Sequence, residues 1–157
     1  MSEESGEEKR ESWSTYFLNL AMLTAARATC TRAKVGAVLT REHRILTTGY
    51  NGSPSGWSHC TEDGCLLIDG RCKRCVHAER NAINWAAHEG ISTKNSRIYT
   101  TLPPCITCFL DCVTAGVTSF VWPTNAVARN QEEMSLIRGW AATHNIELRS
   151  AYLEDTV

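Results

Sequence analysis

Two short stretches carry residues whose types and spacing can do chemistry: His77-Ala78-Glu79 and Pro104-Cys105-Ile106-Thr107-Cys108. Both fall where the pattern predicts a helix N-terminus. Residues three apart on a helix share a face, so the sulfurs of Cys105 and Cys108 can point at one metal. The free N–H groups and partial positive charge of a helix start favour thiolate over thiol, and thiolate is the ligand form. His77 adds a neutral nitrogen. Three protein ligands leave the fourth position of a tetrahedral zinc open to water, the arrangement of a catalytic site rather than a structural one. Zinc lowers the pKa of bound water, so hydroxide exists near neutral pH and can attack an electron-poor ring carbon bearing an amine. Glu79, two residues from a ligand, can take a proton from the water and hand it to the ring and the departing amine. The plain alternative is a helix-capping histidine with core or redox cysteines. It accounts for a lone Cys-x-x-Cys but poorly for both motifs together.

The elements that must hold these residues can be read from periodicity. Ser12 is a candidate N-cap for a helix to about Ala28, with Tyr16, Leu20, Leu23 and Ala26 at helical spacing, and Phe17, Leu20 and Thr24 likewise. Val35–Thr40 and Ile45–Tyr50 read as strands of an antiparallel hairpin turning at Arg41–Arg44. An irregular segment from Asn51 to about Cys75 follows, with glycines at 52, 56, 64 and 70. A loop of that length inside a compact domain calls for a function or an internal staple. His77–His88 reads as a helix with Ala78, Ala82, Trp85 and Ala86 on one face, and Gly90 suits its stop. Arg97–Thr101 is a strand, Pro104 opens a helix that ends near Gly116, and Val117–Trp122 is a strand. Glu132 to about His144 is a helix, and Ile146–Leu153 the last strand. Trp85 and Trp140 read as core. This order predicts one mixed sheet of about five strands with helices on both faces, a three-layer α/β/α sandwich.

Composition sets the outer bounds. The chain has 157 residues, 43% hydrophobic and 21% charged, which suits one soluble domain. Residues 1–11 read as a polar disordered tail and 12–157 as the domain. Sixteen basic residues stand against 17 acidic ones, for a net charge of −1. That balance argues against a nucleic-acid partner, which asks for a basic face. No apolar run reaches the roughly 20 residues that span a membrane, and the polar start has no signal-peptide core. The expectation is therefore a cytoplasmic protein with no membrane partner.

The two motifs are similar to the signature of the zinc nucleobase deaminases, in which the glutamate is the acid/base group. From about Trp13 to Thr118 the chain more specifically resembles the deoxycytidylate (dCMP) deaminases, of the cytidine deaminase-like fold. The matching residues include Cys30 before Val35-Gly36-Ala37-Val38, Gly49-Tyr50-Asn51-Gly52-Ser53-Pro54-x-Gly56, and Val76-His77-Ala78-Glu79-x-Asn81. They continue through Tyr99-x-Thr101-x-x-Pro104-Cys105-x-x-Cys108. The resemblance implies hydrolysis of dCMP to dUMP and ammonia, with Glu79 as proton shuttle and zinc on His77, Cys105 and Cys108. It also implies activation by dCTP and inhibition by dTTP, with Mg²⁺, at a site including Gly49, Tyr50, Asn51, Gly52 and Pro54, and a homo-oligomer, often a hexamer. By analogy Asn51 lies near the sugar and the Ala78 backbone meets the pyrimidine edge. Arg32 and Lys34 flank the expected entrance, as phosphate ligands or as solvated surface charges. The chain departs from the resemblance at Pro123-Thr124-Asn125-Ala126, where the family carries a tyrosine- and acid-containing stretch. That leaves a 5-modified cytosine nucleotide, or another cytosine nucleoside, as an alternative substrate, and a non-catalytic zinc module as the reading from a different class.

Eight cysteines exceed what one site uses. Cys60, Cys65, Cys72 and Cys75 lie in the long loop, and the family fold places Cys30 beside it. Clustered cysteines in a cytosolic chain suggest metal, here a second, structural zinc that offsets the cost of ordering the loop. The set chosen is Cys30, Cys60, Cys65 and Cys72, with Cys75 as the spare. His59 in place of one cysteine, and reduced thiols without metal, stay open. Cys112, one turn past Cys108, reads as a small buried residue.

Overall fold

The structure is a computed structural model, and it describes residues 10–153. Residues 1–9 of the expected tail lie outside the described residues; Arg10 and Glu11 are exposed and without regular structure.

Ser12 caps the first helix, α1 (Trp13–Ala25), its side chain accepting from the Thr15 N–H at 3.1 Å. The helix stops at Ala25, three residues before the expected end. Apolar residues occur nearly all round it, so periodicity offers two stripes and does not choose between them. Phe17, Leu18, Ala21 and Ala25 are buried, while Tyr16 and Leu23 face outward.

The chain then enters β1 (Gly36–Arg41) and β2 (Arg44–Tyr50), joined by Glu42 and His43 at positive φ. The long segment that follows holds a one-turn helix α2 (Cys60–Asp63) and a two-residue hairpin, β3 (Leu67–Ile68) with β4 (Arg71–Cys72). Next come α3 (Ala78–His88), β5 (Ser96–Thr100), α4 (Ile106–Thr114), β6 (Val117–Pro123), α5 (Gln131–Thr143) and β7 (Glu147–Ala151).

Five strands form one mixed sheet in the order β2-β1-β5-β6-β7. β1 is antiparallel to both β2 and β5, while β5, β6 and β7 run parallel. Strand alternation sorts the core into two sides. Val38, Tyr99 and Val121 pack under α1 against Phe17, Leu18 and Ala21. Ala37, Leu39, Ile98, Phe120 and Trp122 pack with Ala82, Ala86, Phe109, Met134 and Ile137 of α3, α4 and α5. The sheet thus lies between α1 on one face and three helices on the other, as expected.

Two glycines set the spacing of these layers. A Cβ on Gly36 would lie 2.0 Å from the Ala21 carbonyl oxygen, and one on Gly49 would lie 2.2 Å from that of Ala78. Helix α3 rests on β2 at a distance that alanines allow and larger side chains do not. That is why Trp85, expected in the core beside Ala82 and Ala86, is 54% exposed. Trp140, also expected in the core, is 36% exposed on α5. Cys112 is fully buried in the core, as expected.

Candidate active site

His77 and Cys105 occupy equivalent positions: each is the N-cap of its helix, α3 and α4 respectively. Each helix therefore begins one residue later than the motif suggests for His77 and two later than for Pro104. Neither side chain makes the usual N-cap hydrogen bond to its own helix. They turn toward each other instead. His77 Nδ1 lies 3.6 Å from Cys105 Sγ and 3.3 Å from Cys108 Sγ. A zinc with Zn–S of about 2.3 Å and Zn–N of about 2.0 Å would set a tetrahedral N–S edge of about 3.6 Å. The three donors, all within 4.8 Å of one another, fit that ion.

The electrostatics suit a cation. Cys105 is held down to about 4 by the hydrogen bond from Cys108 and, against burial, by His77. Cys108 is pushed up by the same bond to Cys105 and by burial. Hydrogen bonding to Cys105 raises His77 above its ordinary value. Glu79, the second residue of α3, is 4% exposed, and burial raises its carboxyl above the usual range.

These residues line a cavity of about 520 Å³, within the range of small-molecule sites. Glu79, Ala78, Asn51 and Arg32 of the expected set all line it. Asn51 is buried with both amide ends engaged: Oδ1 accepts from Val35 N at 2.7 Å, and Nδ2 donates to the Ala33 carbonyl at 2.7 Å. Lys34 is exposed and is not among the lining residues. Of the Gly49–Pro54 stretch, Gly52 exchanges backbone hydrogen bonds with Val76 just before the catalytic motif, and Asn81 donates to the Tyr50 carbonyl. Pro54 is exposed.

Sequence reasoning missed several lining residues. Ala128, Arg129, Asn130 and Glu133 reach the cavity from the β6–α5 connection, and Arg71 from the small hairpin. Glu133 ties two of these parts together. It accepts from Arg71 at 2.9 Å and from the backbone N–H of Ile106, next to Cys105, at 3.3 Å. Arg71 and, after it, that N–H hold the Glu133 carboxyl below its usual range. Asn130-x-x-Glu133 at a helix start was the available signal, since Asn130 Oδ1 caps the Glu133 N–H.

Three sulfurs of a second group, those of Cys30, Cys72 and Cys75, line the same cavity. Cys60 Sγ lies 3.5 Å from Cys72 Sγ and 3.3 Å from Cys75 Sγ. Cys30, Cys60 and Cys75 lie within 4.8 Å of one another, as do Cys60, Cys65 and Cys72. Cys75, set aside on the sequence, thus sits inside the group and next to its central member, because the Val76–Gly52 bridge turns the chain there. Burial opposes ionisation of Cys72, yet the Cys75 and Arg74 N–H groups and the Cys60 thiol bring it down to about 6. His59 instead points Nδ1 at the Thr29 hydroxyl, 3.0 Å away.

A three-donor metal triad with a buried carboxyl beside it, on an α/β/α sandwich, defines a class of metal-dependent site with an open coordination position. Residues 11–124 match the model of the cytidine and deoxycytidylate deaminase zinc-binding region, and the chain belongs to that family. It is 44% identical over 109 residues to ComE operon protein 2 of Bacillus subtilis, an alignment covering 69% of this chain and 58% of that protein. With the deoxycytidylate deaminase of Schizosaccharomyces pombe it shares 36% identity over 124 residues, 74% of this chain and 38% of the relative. The chain therefore spans less than two thirds of the length of both relatives. Among solved structures, the dCMP deaminase of cyanophage S-TIM5 in complex with dCMP and dUMP superposes with a TM-score of 0.75 at 26% identity, over 91% of this chain and 99% of that one.

Proposed function

We propose that the chain hydrolyses dCMP to dUMP and ammonia. The observation that carries the reading is the His77–Cys105–Cys108 triad with the buried Glu79 beside it, in a cavity whose wall also holds guanidinium groups. The relatives' names and the nucleotides bound by the cyanophage enzyme support the same substrate.

A zinc ion held by His77, Cys105 and Cys108 supplies Lewis acidity and acidifies a water toward neutral pH. Glu79 moves the protons. Its carboxylate takes one from the attacking water, passes it to the ring nitrogen beside the reacting carbon, and then serves the departing amine. The other lining acid, Glu133, is engaged with Arg71, which leaves Glu79 for this task. Burial raises the Glu79 pKa toward the working pH, where such a shuttle is most effective.

The proposal includes a second, structural zinc drawn from Cys30, Cys60, Cys65, Cys72 and Cys75. The Cys60 separations of 3.3 and 3.5 Å are near the S–S edge of about 3.8 Å for a thiolate zinc. It also includes control by dCTP and dTTP with Mg²⁺ at Gly49–Pro54, whose exposed end is Pro54. A cytoplasmic homo-oligomer without a nucleic-acid partner completes it. Exposed Trp85, Leu110 and Leu136, on α3, α4 and α5, favour assembly. Among the described residues no helix is long and apolar enough to cross a membrane.

Ammonia release from dCMP, cytidine, dCTP and tRNA, with and without added dCTP as effector, tests the reading. dCMP is the expected substrate. No release from dCMP overturns the activity, and release indifferent to dCTP and dTTP removes the regulation.

A further inference from the structure

We propose that Glu133 is a positioning residue for the reaction: from α5 it caps the start of α4 in place of Cys105, and through Arg71 it ties the aim of that sulfur to the β3–β4 hairpin. The inference rests on the deaminase reading of the same cavity.

A helix leaves its first N–H groups without partners, and the side chain of the residue before it usually supplies one. Before α4 that residue is Cys105, and its side chain makes no such bond. Its sulfur is turned to His77, 3.6 Å away, as one donor of the triad. The first N–H of α4, that of Ile106, is taken up from another helix: Glu133 Oε2 accepts it at 3.3 Å. A carboxylate suits that place, because a helix start carries partial positive charge. The bond therefore holds the peptide that joins Cys105 to the helix, and with it the direction of the sulfur.

Glu133 passes over a nearer partner to reach this peptide. Asn130 Oδ1 accepts from the Glu133 N–H at 3.0 Å, which is half of a capping box. In the full box the Glu133 carboxylate would return to the Asn130 N–H. Both of its oxygens leave α5 instead: Oε2 goes to Ile106 and Oε1 to Arg71 Nη2 at 2.9 Å. The Arg71 side chain is 57% exposed, so solvent screens the charge and the pair serves as a tether rather than a source of stability. Arg71 precedes Cys72 on β4, within the second group of sulfurs. The run Cys72–Arg71–Glu133–Ile106–Cys105 thus joins the two groups of donors through two side-chain contacts. Groups that orient a metal's ligands without touching the metal typically cost about 10- to 100-fold in affinity or activity when removed.

Glu133→Ala, Glu133→Gln and Arg71→Gln test this together. For Glu133→Ala we expect kcat for dCMP to fall about 10- to 100-fold, with KM changed less than about threefold. Glu133→Gln should recover most of that loss, since its amide oxygen can still accept from Ile106. Arg71→Gln should cost less than Glu133→Ala, and nothing further in the Glu133→Ala background; additive losses would overturn the tether. Zinc retained after dialysis against graded chelator reads the site without turnover. One equivalent should leave Glu133→Ala at a chelator concentration about 10- to 100-fold below that for wild type. A lowered thermal midpoint with kcat and zinc retention unchanged would overturn the proposal and leave Glu133 a structural residue only. A raised KM with kcat kept would overturn it too, by placing Glu133 against the substrate. Failure of the wild-type chain to release ammonia from dCMP would instead strike the deaminase reading, with zinc retention still deciding the role of Glu133.

Discussion

A carboxyl that is 4% exposed is costly to ionise unless something nearby stabilises its charge. Glu79 sits beside three metal donors, and a bound cation is the stabiliser the site is built to hold. Replacing the carboxyl with an amide of equal size should leave those donors alone and stop proton transfer. For Glu79→Gln we expect turnover of dCMP to fall by at least about 100-fold, while zinc per chain is unchanged by elemental analysis. Loss of zinc together with activity would mean that Glu79 holds the site rather than working in it. His77, Glu79, Cys105 and Cys108 were legible because each motif lies within five residues, so local spacing fixes their geometry. Arg129, Glu133 and Arg71 were not, because only the folded sheet brings residues 71 and 129–133 to one cavity. The nearness of Cys75 to Cys60 was not legible for a related reason: it depends on the bridge between Val76 and Gly52, and spacing along the chain does not contain it.

At the scale of elements, alternation in the strands and the helix-start motifs carried most of the fold. The buried face of α1 was not legible because the helix itself offered little contrast, and the reading of Trp85 as core failed because the approach of a neighbouring strand decided what would fit. The small hairpin did have a signal. Asp69-Gly70, both at positive φ, is the dipeptide of a tight two-residue turn between Leu67-Ile68 and Arg71-Cys72. Glu147 on β7 ties the parallel part of the sheet: it accepts from Ser119 on β6 at 2.6 Å and from Arg97 on β5 at 2.8 Å. The Ser119 hydroxyl first, then the charge of Arg97, hold its carboxyl below the ordinary range against some burial. Such a group stabilises the folded chain above its unfolded pKa of about 4.3 and ceases to as pH falls through its lower folded value. Solvent screens this partly exposed pair, so the whole effect is no more than about 1 kcal/mol. Glu147→Gln should therefore lower the thermal midpoint slightly at pH 7, and the gap from wild type should close below about pH 4. A gap that persists unchanged into acid would assign the contribution to packing.

Taken whole, the molecule has a regular sandwich and one long segment, 51–76, with little regular structure of its own. What holds that segment is the group of cysteines, the Val76–Gly52 bridge and the Arg71–Glu133 pair. Elemental analysis should find two zinc ions per chain, and Cys60→Ser, at the sulfur common to both thiol groupings, should reduce this to one. That variant should also unfold at a lower temperature, with the triad still loaded. One zinc in the wild-type chain would remove the second site.

The cysteines of that group, from Cys30 to Cys75, all precede His77, the first residue of the triad. A chain made from its N-terminus onward therefore presents five soft donors before any catalytic ligand exists. Strand β1 has by then its partner on one side only, β2, and its other edge waits for Ser96–Thr100. Metal captured by the early thiols would brace the hairpin and its loop through that interval. Were both proposed ions bound, the order of synthesis would give the first to assembly and the second to chemistry.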